Sequence, residues 1–106
     1  MDDIIEEFHR MWDAFPGMAR LIRTDHTILA ANEAARTRGF VEGACCAKVG
    51  TLETHRGCLM RAMVESQSGQ VDMPSPDKAR GWLPVQGHDD LFVHFTLFLP
   101  QENSSR

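Results

Sequence analysis

This sequence of 106 residues lacks most features that assign a function directly. It has no Lys/Arg cluster, and its net charge of −4 argues against a surface that contacts nucleic-acid phosphates. Its longest apolar run, Leu91–Leu99, is about half of the ~20 residues that a membrane helix needs, so we expect no membrane contact. No Ser/His/Asp set, phosphate loop or carboxylate pair has a recognisable spacing, and the sequence therefore predicts a protein without catalysis of its own.

Signals for export are also absent. The start, MDDIIEE, is acidic where a secretory signal is basic, and three cysteines, an odd number, do not suit a disulfide-stapled secreted module. These features favour a cytoplasmic protein. With 42% hydrophobic residues, the chain can build one core and is too short for two domains.

The first 15 residues carry an apolar stripe at helical spacing. We expect the helix to begin at Asp2 or Asp3 and to stop at Pro16-Gly17. The stripe needs cover, which the chain's own sheet, a second copy of the chain, or both would supply. The residues predicted to make this packing or dimer contact are Ile4, Phe8, Met11, Trp12 and Phe15.

A β-hairpin is predicted directly after this helix. Two apolar runs, Ala19–Arg23 and Thr27–Ala31, flank the polar trio Thr24-Asp25-His26, in which Asp25 forms the turn. Asn32 then caps a short helix, at a stability cost of about 1 kcal/mol if it is replaced by Ala. Gly39 supplies the left-handed residue that ends this helix.

The second half of the chain predicts a long helix and three strands. We expect the helix to run from Thr51 or Thr54 to about Ser68 and to end at Gly69. The predicted strands are Gln70–Met73, Arg80–Gln86 and Leu91–Leu99, separated by a loop over 74–78 and a turn over 87–90. Pro84 implies an edge position or a bulge. The last strand is apolar at every odd position and partly apolar at the even ones, so it needs cover on both faces.

The stretch Asp25 to Gly39, with the pattern D-x-x-I-L-x-x-N-x-A-A-x-x-x-G, resembles the opening of a PAS domain. The predicted order of elements extends the resemblance over roughly residues 14 to 99. It implies an α+β fold, a five-stranded antiparallel sheet with helices on one face and an amphipathic N-terminal helix. The expected division is the helix at 1–15, the PAS-like domain at 16–100 and a polar tail at 101–106.

The resemblance also implies a function. PAS domains act as sensory or dimerisation modules of bacterial histidine kinases, in two-component systems, of cyclic-nucleotide enzymes or of transcription regulators. They are often homodimers, with an effector domain in the same chain or on a partner protein. A small ligand would lie between sheet and helices, lined here by Met60, Met63, His94 and Phe95. The competing interpretation is that the methionines are plain core and that His94 bonds a neighbour such as Thr96.

No cofactor follows from the resemblance. The segment Ala44-Cys45-Cys46-Ala47-Lys48-Val49 lacks the Asn, Arg and Gln of flavin-binding light sensors of this family, which argues against flavin. Haem-binding members use a His within the long helix, whereas His55 falls at its predicted start, so haem has little support.

The cysteines allow an alternative function, a metal-based or thiol-based redox sensor. The His-x-x-Cys spacing of His55 and Cys58 places both side chains within one helical turn, and Cys45 or Cys46 would complete a set suited to zinc or an iron–sulfur cluster. The same cysteines could instead switch between thiol and disulfide. The simpler interpretation is that they are small buried apolar side chains.

Overall fold

The structure, a computed structural model, describes residues 2–45 and 59–99. Its five strands form a single antiparallel sheet in the order β2-β1-β5-β4-β3, which confirms the predicted PAS-like α+β fold with the last strand at the centre. No helix within the described ranges is long and apolar enough to span a membrane. The elements are α1 (Asp2–Trp12), β1 (Met18–Arg23), β2 (Ile28–Ala31), α2 (Glu33–Arg36), α3 (Met60–Ser66), β3 (Gln70–Ser75), β4 (Lys78–Val85) and β5 (His88–Phe98).

The turns of the β3–β4–β5 meander are tighter than predicted. The expected loop over 74–78 is a turn of only Pro76 and Asp77, because Ser75 already pairs with Lys78. The register between β3 and β4 shifts between Asp72 and Ser75. This irregularity accommodates Pro74, which has no backbone N–H to donate to the neighbouring strand. Likewise β5 begins at His88 rather than Leu91, because Val85 pairs with His88 across a turn whose glycine has φ 84°.

Pro84 lies next to a register shift in the pairing of β4 with β5, as expected for a residue without a backbone N–H to donate. The register between β4 and β5 shifts directly after Pro84, and the pairing of β4 with β3 reaches only Trp82. The missing N–H of Pro84 therefore interrupts no pairing with β3.

Two helices end differently from the sequence prediction. α1 stops at Trp12, after which Phe15 turns its ring onto Trp12 and onto Phe95 of β5, with centroids 5.1 and 5.5 Å apart. α3 ends at Ser66 rather than next to Gly69, and Gln67 directly after it adopts the left-handed conformation with φ 52°. Gly69 instead allows a close approach, since a Cβ there would lie 2.9 Å from the Leu83 side chain. The predicted start of this helix, at Thr51 or Thr54, falls outside the described residues.

Side chains cover the sheet on both faces, as the pattern of β5 predicts. On the face that α2 and α3 contact, here called the helix-side face, Ile22, Trp82 and Phe92 pack against Ala35 and Met63. On the opposite face, called the outer face, Phe8 of α1 packs with other apolar side chains, among them Ala19, Leu21, Leu91 and Val93. The chain therefore has two cores that share one sheet.

Candidate ligand site on the helix-side face

Two arginines are buried on the helix-side face of the sheet. Arg20 of β1 and Arg80 of β4 are only 2% and 4% exposed. They lie on this face because residues two positions apart on a strand point the same way, and Ile22 and Trp82 belong to its core. Buried charges are costly unless they are held by partners, so their surroundings decide their role.

Asp72 on the neighbouring strand β3 holds Arg80. The Arg80 Nε and Nη2 donate to the two carboxylate oxygens of Asp72 at 2.9 and 2.6 Å, a bidentate pair between cross-strand partners. The guanidinium carbon also lies 5.2 Å from the centroid of the Trp82 ring. These contacts fix the orientation of the charge.

Arg20 approaches the central strand from the other side. Its Nη2 donates to the Thr96 hydroxyl at 2.9 Å, and its guanidinium carbon lies 4.4 Å from the centroid of the Phe40 ring. Thr96 is the cross-strand partner of Arg80. The two arginines therefore flank the same part of β5.

His94 lies between them on β5. Its ring stacks on Trp82, with centroids 4.7 Å apart and planes 11° apart, and its Nδ1 lies 2.8 Å from the carbonyl oxygen of Gly81. Because a carbonyl only accepts, this contact assigns the proton to Nδ1. The partner is thus the Gly81 backbone rather than Thr96, which accepts from Arg20.

The residues predicted to line a pocket divide between the two faces. His94 and the buried Met63 lie on the helix-side face, with the half-buried Met60 packed against the same cluster. Phe95 does not join them, because strand alternation turns it to the outer face, where it stacks on Trp12 with centroids 6.1 Å apart.

Asn32 has a larger structural role than a helix cap. It is buried, and its Oδ1 accepts from the backbone N–H groups of Ala35, which caps α2, and of Ala19 in β1. Its Nδ2 donates to the carbonyl oxygens of Trp12 and Gly17. One side chain therefore connects the end of α1, the start of β1 and the start of α2. The turn after α2 passes through Gly39, whose φ is 96°.

Asp25 stabilises the turn of the first hairpin. Its carboxylate accepts from the Arg23 guanidinium at 2.9 Å and from the Thr27 backbone N–H at 2.9 Å. The hydrogen bond from Arg23, and next those from Thr27, hold the pKa of Asp25 well below its usual range. The same hydrogen bond raises the pKa of Arg23.

A polar depression of about 380 Å³ separates α1 from α2. Two pairs account for four of the side chains that line it: His9 Nδ1 lies 2.8 Å from a carboxylate oxygen of Asp13, and Arg36 pairs with Glu42.

The comparisons with known proteins concern the fold. No family model matches this sequence, and no curated protein does. Among solved structures, the crystal structure of a sensory box sensor histidine kinase from Vibrio cholerae is similar, with a TM-score of 0.67 and 11% sequence identity over 94% of this chain and 92% of that one. The chain has a PAS-like fold.

Little of the predicted metal or redox cluster of this PAS-like domain falls in the described residues. Cys45 is a half-buried free thiol next to the first hairpin. Its backbone forms an isolated antiparallel β-bridge with that of Thr27. Cys46, His55 and Cys58 lie outside the described residues. Within 2–45 and 59–99 no three His, Cys, Asp or Glu side chains are placed to hold a metal. The metal and redox hypotheses stay predictions.

Sequence reasoning missed the arginines of this PAS-like domain. The available signal was their position: Arg20 alternates with the apolar Met18 and Ile22, and Arg80 precedes Trp82 by two residues. A charged residue in the core-facing register of a strand predicts a buried polar site.

Proposed function

We propose that this chain is a sensory module that receives a small ligand on the helix-side face of its sheet and passes its state to an effector domain in the same chain or on a partner protein. Its PAS-like fold is shared with a sensory box sensor histidine kinase. Because fold alone does not assign function, the proposal depends on the chemistry of that face.

The observation that carries the proposal is the pair of buried guanidiniums, Arg20 and Arg80. A sheet that served only as a scaffold would be covered by apolar side chains on this face, as it is on the outer face by Phe8 and its neighbours. Ligand sites, in contrast, combine apolar and aromatic walls with a few oriented polar groups. Trp82, Phe40 and the two arginines have this composition.

The test uses the two tryptophans, which lie on opposite faces. In a Trp12→Phe variant the only indole is Trp82, on the helix-side face, and in a Trp82→Phe variant it is Trp12, on the outer face. We expect compounds that raise the melting temperature in a metabolite screen to change the emission of Trp82 and to leave that of Trp12 unchanged. A screen without any such compound would contradict the proposed site.

We further propose that the module works as a homodimer through its outer face. α1 lies mainly over β1 and β2, and its Phe8 and Trp12 side chains reach β5. On edge strand β3, Val71 and Met73 are 62% and 56% exposed, and on α1 Met11 is 70% exposed. A second copy would bury this apolar surface.

The mass in solution tests the dimer. We expect the parent chain to have twice the monomer mass in light scattering and a Val71→Lys/Met73→Lys variant to have the monomer mass. These side chains are exposed, so the variant keeps its fold, whereas an Asp at the buried Phe8 would unfold the chain. A monomeric parent would contradict the proposal.

A further inference from the structure

An exposed aromatic ring lies beside two cations at the end of the central strand. Phe98, the last residue of β5, is 42% exposed. The guanidinium carbon of Arg38 lies 4.8 Å from the centroid of its ring, and the Nζ of Lys78 lies 5.8 Å from the same centroid. Arg38 is exposed and Lys78 is half-buried, so all three side chains reach the surface. These three residues are called the cation–aromatic patch.

Three backbone segments hold the patch in place. Lys78 begins β4 and is the cross-strand partner of Phe98. The backbone N–H of Leu99 donates to the carbonyl oxygen of Asp77 at 2.7 Å, which connects the end of β5 to the turn before β4. Arg38 lies in the hydrogen-bonded turn that follows α2. The fold therefore brings together three side chains that are distant in sequence.

The nearby carboxylates have other partners. Asp77, although it precedes Lys78 directly, is turned to the Ser75 hydroxyl at 2.6 Å, and Glu42 pairs with Arg36. The two cations of the patch form no ion pair with any residue that the structure describes. A ring orients a cation without neutralising its charge, so the patch is a positive surface on a chain of net charge −4.

The strength of exposed ion pairs indicates the size of the partner. One such pair contributes about 0.2–1 kcal/mol, too little to retain a small anion at an open surface. Both cations contact one ring, so they lie within roughly a Debye length of each other. A chain that supplies two carboxylates and an apolar side chain can contact both cations and the ring at once, and these small contributions then act together.

The charge of the whole chain argues against other polyanions. A lipid surface is recognised by clusters of four to eight Lys or Arg residues, at about 1 kcal/mol each, whereas the patch has two. The net charge of −4 repels an anionic membrane and nucleic-acid phosphates alike. A local acidic segment of a protein avoids this cost, because it meets only the positive patch.

We propose that the cation–aromatic patch docks an acidic segment of a partner protein. Two carboxylates of the segment contact Arg38 and Lys78, and an apolar side chain between them covers the Phe98 ring. The inference goes beyond the proposed ligand site and the proposed dimer, and it depends on neither.

Titration of the nitrogen-15-labelled chain, followed by NMR, tests the docking because it detects millimolar binding and locates it. The probe is the blocked peptide Gly-Glu-Leu-Gly-Glu-Gly, whose glutamates lie about 10 Å apart when it is extended. The control peptide has glutamine in place of both glutamates. We expect the glutamate peptide to shift the backbone signals of residues 38, 78 and 98 saturably. It should bind about two- to thirtyfold more tightly than the control, the range for two exposed ion pairs.

Variants outside the two cores then locate the contact. Arg38→Gln and Lys78→Gln should each weaken binding of the glutamate peptide about two- to fivefold. Arg10→Gln removes an exposed charge from α1 and should have no effect. The double variant Arg38→Glu/Lys78→Glu should lose the glutamate peptide and bind a peptide with lysine in place of both glutamates.

Five results would overturn the inference. The glutamine peptide could shift the same signals as strongly, or Arg10→Gln could weaken binding as much as Lys78→Gln, and either result would show that the patch does not recognise charge. Absence of any shift at ten millimolar peptide, written here as about 10 mM, would exclude docking of an acidic segment. Shifts of the patch signals on dilution of the chain alone would assign the patch to a second copy. Sedimentation with phosphatidylserine vesicles, without a response to the peptide, would assign it to a lipid surface.

Discussion

The two faces of the sheet use alternate residues of the same strands, but they differ in chemistry. The outer face is apolar, with Phe8 of α1 at its centre. The helix-side face contains buried arginines, and a His–Trp stack next to its apolar core. An apolar core with α1 covers the outer face, whereas the helix-side face contains the buried charges on which the proposed ligand site depends. Substitutions on each face test that distinction.

The largest effect should come from the outer face. Phe8→Ala removes a fully buried ring and should lower the free energy of unfolding by about 4 kcal/mol. Met11→Ala, a control on the exposed side of the same helix, should change it by no more than about 0.5 kcal/mol. Urea denaturation measures both values. Equal small losses would mean that α1 is not part of the core.

The second largest effect is expected at Asn32, whose side chain connects α1, β1 and α2. Asn32→Ala removes four hydrogen bonds and leaves buried backbone groups without a partner, so we expect a loss of about 3 kcal/mol. Asn32→Asp keeps the oxygen acceptor but places a carboxylate oxygen against the carbonyl oxygens of Trp12 and Gly17 at a buried site, so its loss should be at least as large as that of Asn32→Ala. A loss of about 1 kcal/mol for Asn32→Ala, as for a simple helix cap, would contradict this role.

A smaller effect on stability is expected at Arg20. Arg20→Met exchanges a buried charge for an apolar side chain of similar length but removes the hydrogen bond to the Thr96 hydroxyl, so we expect a loss of about 1–2 kcal/mol. Binding of a compound found in the metabolite screen should nevertheless be lost. The reverse result, unfolding comparable to that of Phe8→Ala, would make Arg20 a structural residue and remove the distinction between the faces.

The smallest effect lies at the exposed turn, away from both faces. Because the pKa of Asp25 is lowered in the folded chain, its stabilisation is present above the ordinary Asp pKa of about 3.9 and is lost as the pH falls below that value. The parent should therefore have a higher melting temperature than Asp25→Asn at neutral pH, and this difference in melting temperature should disappear on acidification. A difference that is independent of pH would contradict the ion pair with Arg23.

Local chemistry made much of the fold predictable. The alternation in β5 indicated a strand covered on two sides, and the pattern around Asn32 indicated strand, cap and helix. The connections over 74–78 and 87–90 were predicted to be longer than the turns at Pro76-Asp77 and Gln86-Gly87, because the ends of the strands depend on pairing between strands. The other three bonds of Asn32 were missed because their partners come from α1, the loop after it and β1.

The candidate site was less predictable than the fold. His94 was named from its place on the last strand, but Arg20 and Arg80 reach β5 from two strands that lie 60 residues apart in sequence. Their proximity follows from the register of β1 and β4 on β5, which no local pattern encodes. Phe95 was assigned to the wrong face because the face that α1 covers depends on tertiary packing.

The position of β5 has a consequence for folding during synthesis. Among the residues that the structure describes, β5 is the last strand in sequence and the central one in the sheet, so a nascent chain contains both outer strand pairs before it contains the strand that joins them. Until residues 88–98 are made, β1 and β4 each have an unpaired edge next to an apolar surface, a state prone to association. The domain can complete neither core before β5 leaves the ribosome, because both cores include side chains of that strand.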